Sequence, residues 1–252
     1  MTELLPTTNV STDYIKYPLY VRKSHIESYS FCPYQFKLQY VDELEIKESY
    51  AMTVGTRFHE FADKFFDICE SYNTDQWYDF IPSSFGNYER SMAEFFIDYE
   101  INDVLIEENP MWFPAFRELE LFHDDLLISG GIDRIDWVVP GKTVKLWEYK
   151  TSKKFDKKSL SRQFGIYKLL IEDILGYEVV ECVDLNPRLR TVTPVVPMNR
   201  IAVLELVDMI RYAYYNPETC KPKCSDVKYF ICRVCRSMEE ANLYTDVAIN
   251  TL

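Results

Sequence analysis

The sequence predicts a mixed α/β fold built on one sheet. Three observations carry that expectation. Over the first part of the chain, apolar residues recur at threes and fours, the spacing of helices that bury one face. Between Ala115 and Thr151 the pattern switches to strand-like alternation broken by turn residues. A helical pattern then returns, followed by two short β-rich runs and a further helix. Helices, then an antiparallel meander, then helix and strands is the order of a sheet flanked by helices.

Residues 1–20 read as an irregular arm. Ser24 followed by Glu27 has capping-box spacing and opens a helix to about Tyr40, with Tyr29, Phe36 and Tyr40 available for packing. Pro33 should break or kink it just after Cys32, because proline lacks the N–H and clashes with the preceding turn. A second helix runs from Gly55 to about Tyr72, with Val54, Phe58, Phe61, Phe65 and Cys69 as one apolar stripe. Tyr88 to about Glu107 is a third, using Met92, Phe95, Phe96 and Tyr99. Strands follow at Ala115–His123, Leu126–Val138 and Thr143–Thr151, with Asp124-Asp125 and Pro140-Gly141-Lys142 as turns. A helix is expected at about Lys158–Gly176, strands near Glu178–Leu185 and Arg190–Val196, and a last helix from Arg200 to Tyr214. No internal repeat or low-complexity stretch is evident.

Composition excludes several classes. A chain with 19 Tyr and 16 Phe is not a disordered tail. It has no apolar run approaching the roughly 18 residues of a membrane span. The start, Met1 to Pro6, lacks the basic and apolar regions of a secretory signal. Seven cysteines, an odd number without such a signal, argue against a disulfide framework and for an intracellular, cytoplasmic protein. The net charge of −12 argues against wholesale coating of nucleic acid. Charge is uneven, however. Lys142 to Lys168 holds nine basic residues against Glu148 and Asp156, a local +7 that leaves −19 elsewhere.

The most informative stretch is Gly131-Ile132-Asp133-Arg134-Ile135-Asp136, followed by Trp147-Glu148-Tyr149-Lys150-Thr151. Glu148 and Lys150 are two apart on a strand and share a face, and a hairpin can bring Asp133 beside them. Converging carboxylates raise each other's pKa unless a cation neutralises them. A hard divalent ion does so through oxygen ligands. It can also lower the pKa of a bound water and polarise a phosphoryl oxygen. Lys150 can then orient the nucleophile or stabilise developing charge. Asp136 reads as a polar residue at the strand end, and Glu118 and Glu120 as exposed strand carboxylates, one of which could support the site. Trp147 and Tyr149 alternate with the acidic and basic pair, so their rings belong to the opposite, core face.

Asp133 on a Gly-x-x-Asp hairpin before Glu148-x-Lys150 resembles the PD-(D/E)XK nuclease superfamily, with its restriction-endonuclease-like core sheet flanked by helices. Gly55-Thr56-Arg57-Phe58-His59 looks like the Gly-x-x-x-His motif of RecB-type nucleases, and Gln163 to Tyr167 like their Gln-x-x-x-Tyr motif. Cys32-Pro33, with Phe36 and Tyr40, resembles their N-terminal cysteine–proline helix. The order agrees over roughly residues 22–170, and the cysteines extend it to about 236. The likeness is to CRISPR-associated RecB-like exonucleases and the AddB nuclease domain, a type also common in phages and viruses, where the host cytoplasm would be the setting.

The resemblance implies that His59, Asp133 and Glu148 bind Mg²⁺ or Mn²⁺, aided by the Tyr149 carbonyl. It implies that Lys150 assists the attacking water, while Gln163 and Tyr167 position the substrate backbone and Lys150. Lys153, Lys154, Lys157, Lys158 and Arg162 follow directly and could track a DNA backbone without reading sequence. A charge run is otherwise a solvated loop.

Four cysteines, Cys220, Cys224, Cys232 and Cys235, crowd the tail, and their spacing alone would suit zinc. The resemblance implies instead a [4Fe–4S] cluster held by one cysteine before the nuclease core and three after it. Cys32 would be the first, and Cys224, Cys232 and Cys235 the others, with Cys220 as the alternative. The tail departs from the usual order, since a lone Cys224 precedes Cys232-x-x-Cys235. Such a cluster would staple an N-terminal helix to the tail, and its binding energy would be folding energy. Cys69 and Cys182 read as core thiols, and His25 and His123 as surface or structural residues.

The expected organisation is a single nuclease domain over 1–252, with an arm at 1–20, cluster-binding segments at 22–50 and 215–240, and a core at 51–214. The expected activity is metal-dependent hydrolysis of DNA phosphodiesters. An exonuclease on single strands or ends is implied, in recombination, repair or replication, with a helicase or recombination protein as partner and no membrane. The competing readings are an inactive nuclease-fold DNA-binding module and a structural subunit stapled by zinc. Cleavage by wild type but not by a Lys150 variant separates them.

Overall fold

In a computed structural model, which describes residues 18–44, 49–69, 73–107 and 112–223, five strands form one sheet in the order β1-β2-β3-β4-β5. They are β1 (Phe116–His123), β2 (Ile128–Val139), β3 (Thr143–Tyr149), β4 (Glu178–Asn186) and β5 (Thr191–Pro194). The first three are antiparallel, as the alternation predicts. β4 lies parallel to β3, and β5 returns antiparallel to β4. A parallel pair needs a crossover, supplied here by α5 (Lys157–Leu170), which continues through a π-helical turn at Ile171–Leu175. Gly176 ends it at φ +72°, a conformation that costs glycine nothing.

The N-terminal helix splits at the proline, into α1 (Lys23–Phe31) and α2 (Pro33–Tyr40), with Cys32 between them. Its cap differs from expectation. Arg22 is the capping residue, and its N–H donates to His25 Nδ1 at 3.1 Å, so the Ser24–Glu27 spacing is not the one used. His25 is buried with its ring edge-on to Tyr40 at 4.3 Å, and burial together with Arg22 holds its pKa down at about 4. It is structural. So is His123, whose Nδ1 accepts from Leu126 N and whose Nε2 lies 3.3 Å from Asp173.

α3 (Tyr50–Ile68) begins a turn earlier than its apolar stripe, capped by Ser49, and α4 (Asn87–Glu107) packs against it. Their aromatics Phe58, Phe61, Phe65 and Phe96 meet Trp147, Tyr149 and Leu185 on one face of the sheet. The expectation that the rings of Trp147 and Tyr149 are core thus holds. On the other face, α5 and α6 (Arg200–Tyr215) bury Phe164, Leu170, Val207 and Ile210 against Ile132, Ile135 and Leu146. Gly165 makes this packing possible. A Cβ there would come within 2.9 Å of the Met198 backbone oxygen. Cys182 is a core thiol pushed up to about 12 by burial, and Cys69 is also buried. Among the described residues, no helix is long and apolar enough to cross a membrane.

One charged network lies inside. Arg134 donates through Nε to Asp136 at 2.7 Å and through Nη1 to Glu100 at 2.6 Å. Trp147 Nε1 donates to Asp136 at 2.6 Å and Trp112 Nε1 to Glu100 at 2.9 Å. Asp136 is therefore a buried mid-strand anchor, not a polar residue at a strand end.

Candidate metal centre and nucleic-acid cleft

The site grows from the registers of the sheet. β1 pairs Arg117 with Arg134 and Leu119 with Ile132, so Glu118 and Asp133 stand opposite each other. β2 pairs Arg134 with Trp147, which puts Asp133 level with Glu148. β3 pairs Glu148 with Asp184. Four carboxylates therefore form one row across four strands. Like charges directly opposite repel, so such a row needs cations.

His59 supplies the first. It lies on α3, one turn after Gly55, where a Cβ would press on Thr151 Oγ1 at 3.3 Å. The missing side chain lets the helix approach the end of β3. His59 Nε2 then sits 3.1 Å from the Tyr149 carbonyl oxygen, and Nδ1 3.4 Å from Asp133 Oδ1 and 3.9 Å from Glu118 Oε1. The other Asp133 oxygen accepts from Tyr149 N at 2.7 Å. Donor atoms of His59, Glu118 and Asp133 all lie within 4.8 Å of one another and could hold one metal ion.

Glu118 is the correction here. It is solvent-exposed, as expected of a strand carboxylate, yet its side chain belongs to the triad. Its backbone has φ +43°, a conformation that costs a non-glycine residue about 1–3 kcal/mol and clusters at functional sites. Glu120 does take the exposed role, lying over Gly131.

Glu148 is almost fully buried, and its Oε1 accepts from Lys150 Nζ at 2.7 Å. Burial alone would raise its pKa, but Lys150 and Lys23 hold it far below the usual carboxylate range. Its Oε2 is buried without a hydrogen-bond partner in the protein, so it is an acceptor that a cation or a water could satisfy. Lys150 Nζ also donates to Gln163 Oε1 at 3.0 Å, and Gln163 Nε2 donates to the Tyr167 hydroxyl at 2.7 Å. The structure thus brings His59, Asp133, Glu148, Tyr149, Lys150, Gln163 and Tyr167 together at one end of β2 and β3.

Burial would lower the pKa of His59. Asp133, with Glu118 and Glu148, outweighs it and pushes the pKa up to about 10. Two consequences follow. In the metal-free protein this charge stabilises the fold below about pH 6.5, and the benefit is lost as pH rises towards about 10. A metal must displace the imidazole proton, so affinity for Mn²⁺ is expected to rise about tenfold per pH unit between about pH 6 and 8. Titration of the protein with Mn²⁺ across that range checks this. A flat profile would remove His59 from the ligand set.

Asp184 was not foreseen. Both of its oxygens are buried without hydrogen-bond partners, and burial, opposed by Lys150, pushes its pKa up to about 6. Nothing in the apolar run Val183 to Leu185 distinguishes it from a chance strand acid.

Two clefts meet at His59. One is acidic, with Glu60, Asp63 and Glu118 on its wall. The other runs over Glu148 and is basic, lined by Lys23, Lys150, Lys153 and Arg188. Of the basic segment, Lys153 borders this cleft, and Lys154 a smaller one beside Asp184. Lys157, Lys158 and Arg162 lie on the first turns of α5 and line neither. Arg188 joins the set unpredicted, anchored on the Thr151 carbonyl at 3.3 Å and over the Tyr88 ring at 4.7 Å.

Among the described residues, the group able to hold a metal ion contains no cysteine. Cys32 is buried at the start of α2, and Cys220 is buried with its thiol 3.6 Å from the Ala213 carbonyl oxygen. Cys224, Cys232 and Cys235 lie outside the described residues.

Comparison with known families agrees with this geometry. Residues 23–211 match the PD-(D/E)XK nuclease superfamily, and the chain belongs to it. No curated protein matches the chain closely. Family and triad together support a metal-dependent enzyme of the nuclease type.

Proposed function

We propose that the chain is a Mg²⁺- or Mn²⁺-dependent deoxyribonuclease acting as an exonuclease on single strands or DNA ends. One observation carries the reading: Lys150 is held between Glu148 and Gln163 beside the His59–Glu118–Asp133 triad. Those carboxylates and the imidazole fit a hard divalent ion, and Oε2 of Glu148 is an acceptor that one could satisfy. When bound, the ion supplies a more acidic water and a polarised phosphoryl oxygen.

The protein's own groups do the rest. Gln163 and Tyr167 fix the Lys150 ammonium, which orients the attacking water and meets charge that develops on the phosphate. Lys153 and Arg188 line the same cleft and would take backbone phosphates of the bound strand, so binding should be independent of sequence and sensitive to salt. The acidic cleft on the other side of His59 repels a second path. Lys157, Lys158 and Arg162 would contact only a longer substrate.

The reading also keeps a [4Fe–4S] cluster on Cys32, Cys224, Cys232 and Cys235, joining segments 22–50 and 215–240 to the core at 51–214. Its support is that Lys223 Nζ donates to the Ser30 carbonyl oxygen at 2.5 Å, two residues before Cys32. Cys220, whose thiol faces the Ala213 carbonyl oxygen, is the alternative ligand. Iron and sulfide should accompany anaerobically purified protein. Zinc in their place would reassign the staple.

The test of the activity compares linear with circular single-stranded DNA in the presence of Mn²⁺. Loss of the linear strand alone is expected. Cutting of the circle would make the enzyme an endonuclease.

A further inference from the structure

The N-terminal helix reaches into the metal centre. Lys23, the first residue of α1, places Nζ 2.7 Å from Glu148 Oε1, the same oxygen that accepts from Lys150 at 2.7 Å. The two residues are 125 positions apart, so this contact belongs to the fold and not to the local strand pattern. Lys150 is also held by Gln163, whereas the ion pair with Glu148 is the polar contact that anchors the Lys23 ammonium. Lys23 lines the basic cleft together with Lys153 and Arg188, and its side chain is 30% exposed while that of Glu148 is 1% exposed.

We propose that Lys23 is a positioning residue of the centre: its ammonium, held on Oε1 of Glu148, opposes by its charge an ion approaching the unpartnered Oε2 of the same carboxylate. Two ammonium groups on one buried carboxylate leave that carboxylate over-neutralised, and an arriving dication meets their repulsion. In the cleft that Lys23 shares with Lys153 and Arg188, a substrate phosphate can accept its charge. The helix that carries Cys32 at its end is thereby tied to the catalytic row by one ion pair. This rests on the metal-dependent reading above.

The test measures metal binding directly. Full-length wild type, Lys23→Met, Lys23→Arg and Asp133→Asn are titrated with Mn²⁺ alone, following the free ion by electron paramagnetic resonance. Lys23→Met should bind Mn²⁺ about tenfold more tightly, because a competing charge has gone, and Lys23→Arg should bind like wild type. Cleavage by Lys23→Met should nevertheless be slower at saturating Mn²⁺, since the phosphate loses a cation. A lysine that merely packs α1 would leave Mn²⁺ binding unchanged. If folded Lys23→Met binds Mn²⁺ no more tightly than wild type, the proposal is overturned. Lys23→Gln repeats the comparison should the methionine variant unfold. Wild-type binding that Asp133→Asn leaves unchanged would overturn the metal centre itself, and Lys23's role with it.

Discussion

Asp133→Asn is expected to abolish cleavage and to weaken Mn²⁺ binding by more than the roughly 10- to 100-fold that loss of an outer partner costs. Asp133 does two jobs with two oxygens. One accepts from Tyr149 N at 2.7 Å and holds the end of β3; the other faces His59 Nδ1 at 3.4 Å within the triad. Asparagine can keep the first contact through its carbonyl, so the fold should survive. It cannot supply a charged oxygen to the ion, and its amide would present donors where an acceptor is needed. The substitution has a second readout. Asp133 is the main group that raises the pKa of His59, so the imidazole should titrate well below about 10 in the variant. An NMR titration of His59 checks this without any substrate. An unchanged His59 titration would mean that the pair does not form.

Arg134→Leu is expected to cost about 3–5 kcal/mol of stability, the cost of stranding buried carboxylates by removing their cation. Arg134 and Glu100 are fully enclosed, and the guanidinium lies over Phe66 at 4.8 Å and Trp147 at 5.2 Å. Burial already raises Glu100 from its ordinary 4.5 to about 7, although Arg134 opposes the rise. A raised carboxyl costs stability as pH climbs from about 4.5 to 7, and the loss should extend to higher pH once the guanidinium is gone. Since a domain holds only about 5–15 kcal/mol in total, this is a large share of the fold's stability. Urea denaturation at about pH 5 and pH 8 measures both effects. A cost below about 1 kcal/mol at both would show that the network is not a keystone of this fold.

Much of this architecture was legible in the residues. The switch from threes and fours to alternation located β1, β2 and β3, and the strand period put Glu148 and Lys150 on the face opposite Trp147 and Tyr149. Gly55 before His59 makes sense only as a close approach, which the contact with Thr151 explains. Other features depend on strands and helices meeting far apart in sequence. The parallel pairing of β3 with β4 brings Asp184 beside Glu148, and no local pattern marks that acid. Lys23 faces Glu148 only because α1 packs against α5 and α6, far from it in sequence. Glu118 was readable as a strand carboxylate, but its role comes from the register that sets it opposite Asp133. The cap on α1 went to Arg22 and His25 because the buried His25 ring, against Tyr40, fixes where that helix begins.

The central claim is that one metal centre, served by Lys150, hydrolyses DNA. The most direct measurement incubates end-labelled single-stranded and duplex DNA with Mn²⁺ and anaerobically purified protein, wild type beside Lys150→Ala. Wild type should degrade the single strand, and the variant should be slower by about 100- to 1,000-fold, the effect of removing one preorganised stabilising donor. Equal cleavage by both proteins, or none by folded wild type that binds Mn²⁺, would contradict the account.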